Sequence, residues 1–358
     1  MHQQRAAVAA QPGAEGKRDS FFLGRQARRL DAVVRQAGLD QFRMPCVGHI
    51  GNLGDIGVFQ GLENLRRPFR RRVGPSIIRV ATPVQSLPDT RGRPVTLVES
   101  NGININVEID GPEGAPWVTF ITGITNDTTM WDDHVAALGE KHRLLRMDSR
   151  GHGGSDATPA PYSFEQLTDD VAGVWKELGI ERTHVVGIGL GGMTTVALAL
   201  RFPRIVSAIV PTACRVELVP EYQAIWPPML EKSAAGGIES ISDITATRWF
   251  PDAYREANPE KMEDIRAMIL RTSLDGYHGC IQALLSVGFG DRLAEIRMPA
   301  LFVSGALDFI GGPTDVMRQM AQTVQDGQHV ELPDAGHICN IANPAAYDHA
   351  LLSFFASL

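Results

Sequence analysis

Cysteine is scarce. Cys46, Cys214, Cys280 and Cys339 are the four in 358 residues, and their spacing suggests neither a metal site nor a disulfide framework. Long apolar runs are missing too. No stretch approaches the ~20 apolar residues that a membrane-spanning helix needs. The opening MHQQRAAVAAQPGAEGKRDS has no apolar core of the secretory kind. Phosphate-binding loops and metal-ligand clusters are also absent from the sequence. These absences argue against a stapled secreted scaffold, a membrane-spanning helical protein and a metal enzyme. The expectation is a cytoplasmic chain with no cofactor and no metal, acting on a small molecule, with no nucleic-acid or membrane partner.

Acidic residues are sparse at the start. Residues 1–94 hold 7 of the 41 Asp and Glu but 16 of the 34 Lys and Arg, a surplus of nine positive charges. The surplus includes RRPFRRR at 66–72, which invites a nucleic-acid or membrane arm. The segment is rich in Arg, Gly and Pro and has little sustained periodicity. Residues 1–92 therefore read as a basic, poorly ordered extension. FFLGRQARRLDAVVRQAGL at 21–39 is its one helical pattern, with Leu30, Val33 and Val34 on one side.

From Arg93 the texture changes. PVTLVES, Asn101-Gly102 and ININVEID spell two strands around a two-residue hairpin turn. WVTFIT and HRLLRMD read as buried strands, with a helical pattern over 131–139 between them. Ser163-Phe-Glu-Gln166 is a capping-box pattern. It opens a helix that places Phe164, Leu167, Val171, Val174, Trp175 and Leu178 on one face and ends at Gly179. THVVG, a helix to about Phe202, IVSAIVP, PALFVSG, a helix from about Pro313, HVELP and a last helix from Asn343-Pro344 continue the alternation. Such alternation predicts an α/β fold with a mostly parallel sheet flanked by helices. Between about 213 and 297 it is interrupted by helical patterns without a convincing strand.

Residues 185–192 read VVGIGLGG: an apolar strand end, a glycine-rich turn, then a helix. Gly187-x-Gly189-x-x-Gly192 formally matches a dinucleotide fingerprint, but no acidic partner follows at the end of the next strand. The better match is the nucleophile elbow G-x-S-x-G. Together with MWDDHVAALGEKHRLLRMDSRGHGGSD, TRWFPDAY, LFVSGALD and DAGHICNIANP, the turn makes residues 93–358 resemble an α/β-hydrolase. Within that superfamily they are similar to the 3-oxoadipate enol-lactonase group.

The resemblance implies an α/β-hydrolase fold with an inserted helical cap over about 213–297. It matches His337 to the catalytic histidine and Asp308 to the acid after a late strand. The backbone N–H groups of Ile124 and Leu190 match the oxyanion donors. Gly189 falls on the nucleophile position, where the family has serine. The neighbouring hydroxyls of Thr194, Thr195 and Ser155 do not reach the elbow tip, so no substitute nucleophile is expected. Trp226, Met229, Trp249, Phe250, Tyr277 and His278 are cap candidates for the pocket, and ordinary cap core is the plainer reading of each. Arg248 suits a substrate carboxylate, although a solvated cap arginine is the commoner case. His152 reads as turn support, and His134, His142 and His184 read as structural.

Three functional classes follow. The first is an enzyme acting on a small organic acid, lactone or ester, plausibly from aromatic degradation. There a His337–Asp308 pair is the general base for water attack or proton abstraction; a serine-independent lyase, isomerase or cofactor-free oxygenase is a variant of it. The second is a ligand-binding protein on an inactive hydrolase frame. The third is an esterase with an unforeseen nucleophile. Fold alone does not choose among them.

Overall fold

A computed structural model describes residues 96–358. The basic segment 1–92, with its helical pattern at 21–39 and Cys46, lies outside the described residues.

Strands β1 (Thr96–Ser100) and β2 (Ile103–Asp110) pair antiparallel, with Ser100 opposite Ile103. The two residues between them, Asn101 and Gly102, have φ of 50° and 80°. A two-residue turn matching the strand twist needs positive φ at both positions, and Asn-Gly tolerates it. β2 pairs antiparallel with β4 (Arg143–Met147). The remaining strands run parallel: β3 (Trp117–Ile121), β5 (Thr183–Ile188), β6 (Val206–Thr212), β7 (Ala300–Gly305) and β8 (Gly327–Leu332). Their spatial order is β1-β2-β4-β3-β5-β6-β7-β8. The central strands WVTFI, THVVGI, VSAIVPT and ALFVSG are buried along almost their whole length. Parallel strands covered on both faces read as continuous apolar runs for this reason.

Helix packing follows the apolar faces. The pattern over 131–139 is not one α-helix: a 3-10 segment spans Thr128–His134, and α1 (Val135–Leu138) follows it. Asp127 caps the 3-10 segment, its Oδ1 accepting the Thr129 N–H at 3.0 Å. In α2 (Phe164–Glu177) the residues Phe164, Leu167, Val171, Val174 and Trp175 are buried, and Leu178 packs half-buried beside them. Each such side chain contributes about 1.5–3 kcal/mol by leaving water. Trp175 Nε1 donates to Thr119 Oγ1 on β3 at 2.9 Å, which fixes the helix to the sheet. Ser163 Oγ accepts the Gln166 N–H at 3.2 Å, the N-cap bond of the expected box. α3 (Leu190–Arg201) follows β5 directly, and ten of its residues are buried, as befits a helix in the middle of the domain.

Between β6 and β7 the chain forms helices: α4 (Pro220–Gln223), α5 (Trp226–Gly236), α6 (Glu239–Trp249), α7 (Asp252–Ala257), α8 (Pro259–Leu270) and α9 (Leu274–Leu285). A bridge between Glu217 and Gly288 closes their base. Ser273 ties them to the loop after β4, where its N–H and Oγ both donate to Gly151 O, at 2.8 and 3.0 Å. Arg271 pairs with Asp127 at 2.5 Å, beside the loop after β3. α10 (Thr314–Thr323), α11 (Cys339–Ala342) and α12 (Pro344–Ala356) complete the chain.

Candidate active site

The loops after β3, β5, β7 and β8 meet at the carboxyl ends of the strands, where open α/β sheets bind ligands. Gly189 occupies the turn from β5 into α3 with φ 56° and ψ −119°. A side chain is strained in this left-handed region, and glycine is not. The turn is pinned at both ends: Gly189 N–H donates to Thr212 O, and Met193 N–H to Gly189 O, each at 3.0 Å. A Cβ placed on Gly189 would lie 3.2 Å from His337 Nε2 and 3.7 Å from His337 Cε1.

His337 Nδ1 lies 2.9 Å from Asp308 Oδ2. The carboxylate also accepts N–H groups from Ile310 and Gly311 on Oδ1, at 2.9 and 3.0 Å, and from Gly312 on Oδ2 at 2.9 Å. Burial alone raises the Asp308 pKa. The charge and hydrogen bond of His337 and the loop N–H donors outweigh that and hold it below the usual carboxylate value. An ionised Asp308 accepts along this contact, so Nδ1 is the donor there and Nε2 is the ring nitrogen that faces Gly189. Gly311 allows the ring to sit there, because any Cβ at 311 would collide with His337 Cε1 and Nδ1.

Ile124 and Leu190 line the same space, and neither backbone N–H has an acceptor among the described residues. Thr194 Oγ1 and Thr195 Oγ1 donate back to Leu190 O and Gly191 O, at 2.9 and 2.8 Å, within their own helix. Ser155 Oγ donates to Asp148 O at 2.9 Å in another loop. No serine, cysteine or lysine lines the cavity among the described residues.

A cavity open to solvent lies over this turn. Gly123, Ile124, Thr125, Asn126, Gly189, Leu190, Ile310, Gly311 and His337 form its floor. Tyr222, Trp226, Met229, Thr245, Arg248, Trp249, Tyr277 and Leu284 form its roof. Four of the six proposed cap aromatics and methionines are therefore present: Trp226, Met229, Trp249 and Tyr277. Two are not. Phe250 turns away to stack on Tyr254, with ring centroids 4.9 Å apart, because α6 ends at Trp249 and the chain there becomes extended. His278 faces Ser233, with Nε2 2.9 Å from Oγ.

Arg248 departs from the solvated reading. Its guanidinium lies inside the cavity wall, with Nη2 2.6 Å from Met229 Sδ, and has no carboxylate partner among the described residues. Burial lowers its pKa, partly opposed by Tyr277 and Tyr222. Trp226 Nε1 is buried without an acceptor among the described residues. Among the described residues the cavity lining thus includes one cation and no carboxylate. The sequence does not single out Thr125, Asn126, Tyr222, Thr245, Leu284 or Ile310. Thr125 and Asn126 directly follow Ile124, while nothing local separates Tyr222, Thr245 and Leu284 from cap core.

His134, His142, His152 and His184 do not line the cavity and contact other parts of the domain. His152 Nδ1 contacts Arg150 O at 3.0 Å, and full burial lowers its pKa to about 4. His134 Nδ1 lies 2.6 Å from Asp348 Oδ1. His184 stacks on Phe355 at 5.0 Å, and His142 packs against the same ring at 5.2 Å. The DSRGHGGSD loop itself is a structural clasp, since Arg150 binds Asp170 of α2 through Nε and Nη2 at 2.7 and 2.6 Å.

An eight-stranded, mostly parallel sheet, an elbow after β5, an acid after β7 and a histidine after β8 define a class. Residues 116–344 match the alpha/beta hydrolase fold family, and the chain belongs to it. It is similar to 3-oxoadipate enol-lactonase 1 of Acinetobacter baylyi, with 30% identity over 74% of this chain and 97% of that protein. To enol-lactonase 2 of the same organism the identity is 29%, over 70% of this chain and 92% of that protein. The crystal structure of the enol-lactonase from Burkholderia xenovorans superposes with a TM-score of 0.70 at 33% identity, covering 73% of this chain and 99% of that one.

Proposed function

We propose that this chain is an enol-lactonase-like hydrolase that works without a serine nucleophile, with His337 as general base and Asp308 as its orienting acid. The observation that carries the reading is the position of His337, with Nδ1 on Asp308 and Nε2 facing the space above Gly189. A serine side chain is larger than glycine's by about the ~30 Å³ that one water occupies. A water there lies within reach of Nε2. As its oxygen attacks the carbonyl carbon of a lactone or ester, its proton passes to Nε2. The oxyanion forms between the N–H groups of Ile124 and Leu190. Collapse breaks the acyl–oxygen bond, and the leaving oxygen takes the proton back from the imidazolium. The acyl group never becomes attached to the protein.

Arg248 gives the substrate class. A half-buried guanidinium in the cavity wall, without a carboxylate partner among the described residues, favours an anionic ligand, and the apolar walls favour a short carbon skeleton. The substrate is then a small lactone or ester bearing a carboxylate. Such chemistry fits cytoplasmic breakdown of aromatic compounds. The test is a panel of carboxylate-bearing lactones and aryl esters assayed with the parent chain and His337→Ala. Turnover by the parent and a loss of about 10²- to 10⁴-fold in the variant, with binding retained, support the base. No turnover of any compound, with ligands still bound, makes this a binding protein on a hydrolase frame.

A further inference from the structure

The loop that holds Asp308 is gripped from its other side. Arg215, three residues past β6, is 7% exposed. Its Nη2 donates to Ile310 O at 2.9 Å and its Nε to Gly311 O at 3.1 Å. The peptide group whose oxygen is Ile310 O has as its N–H that of Gly311, which donates to Asp308 Oδ1 at 3.0 Å. The next peptide group has Gly311 O on Arg215 and Gly312 N–H on Asp308 Oδ2, at 2.9 Å. Two consecutive peptide groups thus stand between a guanidinium and a carboxylate. In each, the oxygen faces the cation and the N–H faces the anion.

This alignment has physical consequences. Each peptide carries a dipole of about 3.5 D, and both dipoles lie with the field between the two charges. Chains of hydrogen bonds in a low-dielectric interior polarise one another. Because both carboxylate oxygens are addressed, the plane of Asp308 is fixed as well as its position. Glycine is needed at both positions of the bridge. A Cβ on Gly311 would strike the His337 ring, and one on Gly312 would strike the backbone of Ala213 and Cys214. Among the described residues Arg215 forms no direct ion pair with any carboxylate. Its guanidinium lies 4.5 Å from the centroid of the Tyr222 ring, which closes its other face.

We infer that Arg215 is a positioning residue for the Asp308–His337 pair: through the two bridging peptide groups it fixes the Asp308 carboxylate, and with it the Nδ1–H tautomer of His337. The inference rests on the reading of His337 as the base. A buried arginine that merely filled space would affect folding stability without touching the imidazole. The two roles therefore separate in a measurement on the histidine itself.

The experiment is nitrogen-15 histidine NMR on the full chain, with Arg215→Met and Arg215→Lys beside the parent. His337→Ala assigns the His337 signals. At a pH where the imidazole is neutral, the parent should show a protected proton on His337 Nδ1. Arg215→Met should lose that proton to exchange and show mixed tautomers. Arg215→Lys keeps the charge but replaces the planar fork, which reaches the two carbonyls from two nitrogens, with one ammonium nitrogen, so it should fall between. On any substrate of the parent, kcat should drop on the order of 10²-fold in Arg215→Met, as for a misplacement of about 1 Å, with KM little changed. If both variants keep the parental His337 signals and lose only thermal stability, the inference is overturned. Should Arg215→Met fail to fold, Arg215→Lys decides alone, and parental His337 signals there overturn it. The NMR arm needs no substrate, so absence of turnover would sink the hydrolase reading and leave this test standing.

Discussion

Gly189 and His337 face each other across the carboxyl end of the sheet, with a Cβ on Gly189 falling 3.2 Å from His337 Nε2. A serine at this turn would stand within hydrogen-bond reach of the imidazole. The glycine keeps the turn, at φ 56°, and gives up the oxygen. Glycine adopts this φ without strain, and on the proposed reading its lack of an oxygen rules out a covalent step at this turn.

The first prediction follows from that loss. A fluorophosphonate probe should not label the chain, and no acyl-enzyme should appear by intact mass. Gly189→Ser should restore labelling and give burst kinetics on aryl esters. Labelling of the parent within the cavity would point to a hydroxyl such as Thr125 or Thr245 and overturn the reading.

Gly189→Ala tests the space itself. The added methyl meets His337 Nε2 at 3.2 Å and holds a non-glycine residue at positive φ, which costs about 1–3 kcal/mol. Turnover should fall because the water loses its place, and the thermal midpoint should fall with it. A variant as active as the parent would show that the attacking water sits elsewhere.

Asp308→Asn should cost up to about 10⁴-fold in turnover, because an amide can favour the wrong imidazole tautomer. It also removes a pH-dependent contribution to stability. The folded Asp308 pKa lies below its ordinary value. Its contribution is thus present above the ordinary carboxylate range and is lost as pH falls through the folded value. Acid titration of the parent and the variant, followed by circular dichroism, reads the difference. Equal acid midpoints would contradict the assignment.

Arg248→Met should weaken small carboxylates by about 10- to 100-fold and leave neutral isosteres nearly unchanged, since a charge-assisted hydrogen bond is worth about 1.5–3 kcal/mol. Isothermal calorimetry with a keto acid and its methyl ketone analogue makes the comparison. Equal losses for both ligands would mean that Arg248 only shapes the wall.

Buried groups away from the cavity give opposite pH trends. His152 has its pKa lowered to about 4 by burial, below an unfolded value near 6.5. The unfolded chain binds that proton first, so stability falls as pH drops from about 6.5 to about 4, by up to about 3 kcal/mol. Asp148 is raised to about 7, first by burial and then by Asp127, so its effect runs the other way: stability falls as pH rises from about 4 to about 7. The two partly cancel in the parent. His152→Asn should gain on the parent in denaturant midpoint as pH falls, and Asp148→Asn should gain as pH rises. Parallel curves for all three proteins would refute both.

Much of this was legible in one dimension because it is locally encoded. Asn101-Gly102 carries its own hairpin turn, and Ser163 its own helix cap. The apolar runs of β5, β6 and β7 announce a sheet covered on both sides. Gly189, Asp308 and His337 are picked out by the resemblance of their motifs to the α/β-hydrolases, and each lies in a loop after a strand. What the sequence determined by itself was the alternation, the turns and the chemical groups at the strand ends. Only the tertiary structure decided what those groups face. Phe250 and Trp249 are neighbours in sequence, yet one stacks on Tyr254 and the other lines the cavity, because the helix ends between them. Arg248 reads as a surface residue until the core lies beneath it. Arg215 and Asp308 are more than ninety positions apart, and nothing local in either predicts two peptide groups aligned between them. Such relations arise from packing segments distant in the chain, and short-range propensity carries no record of them.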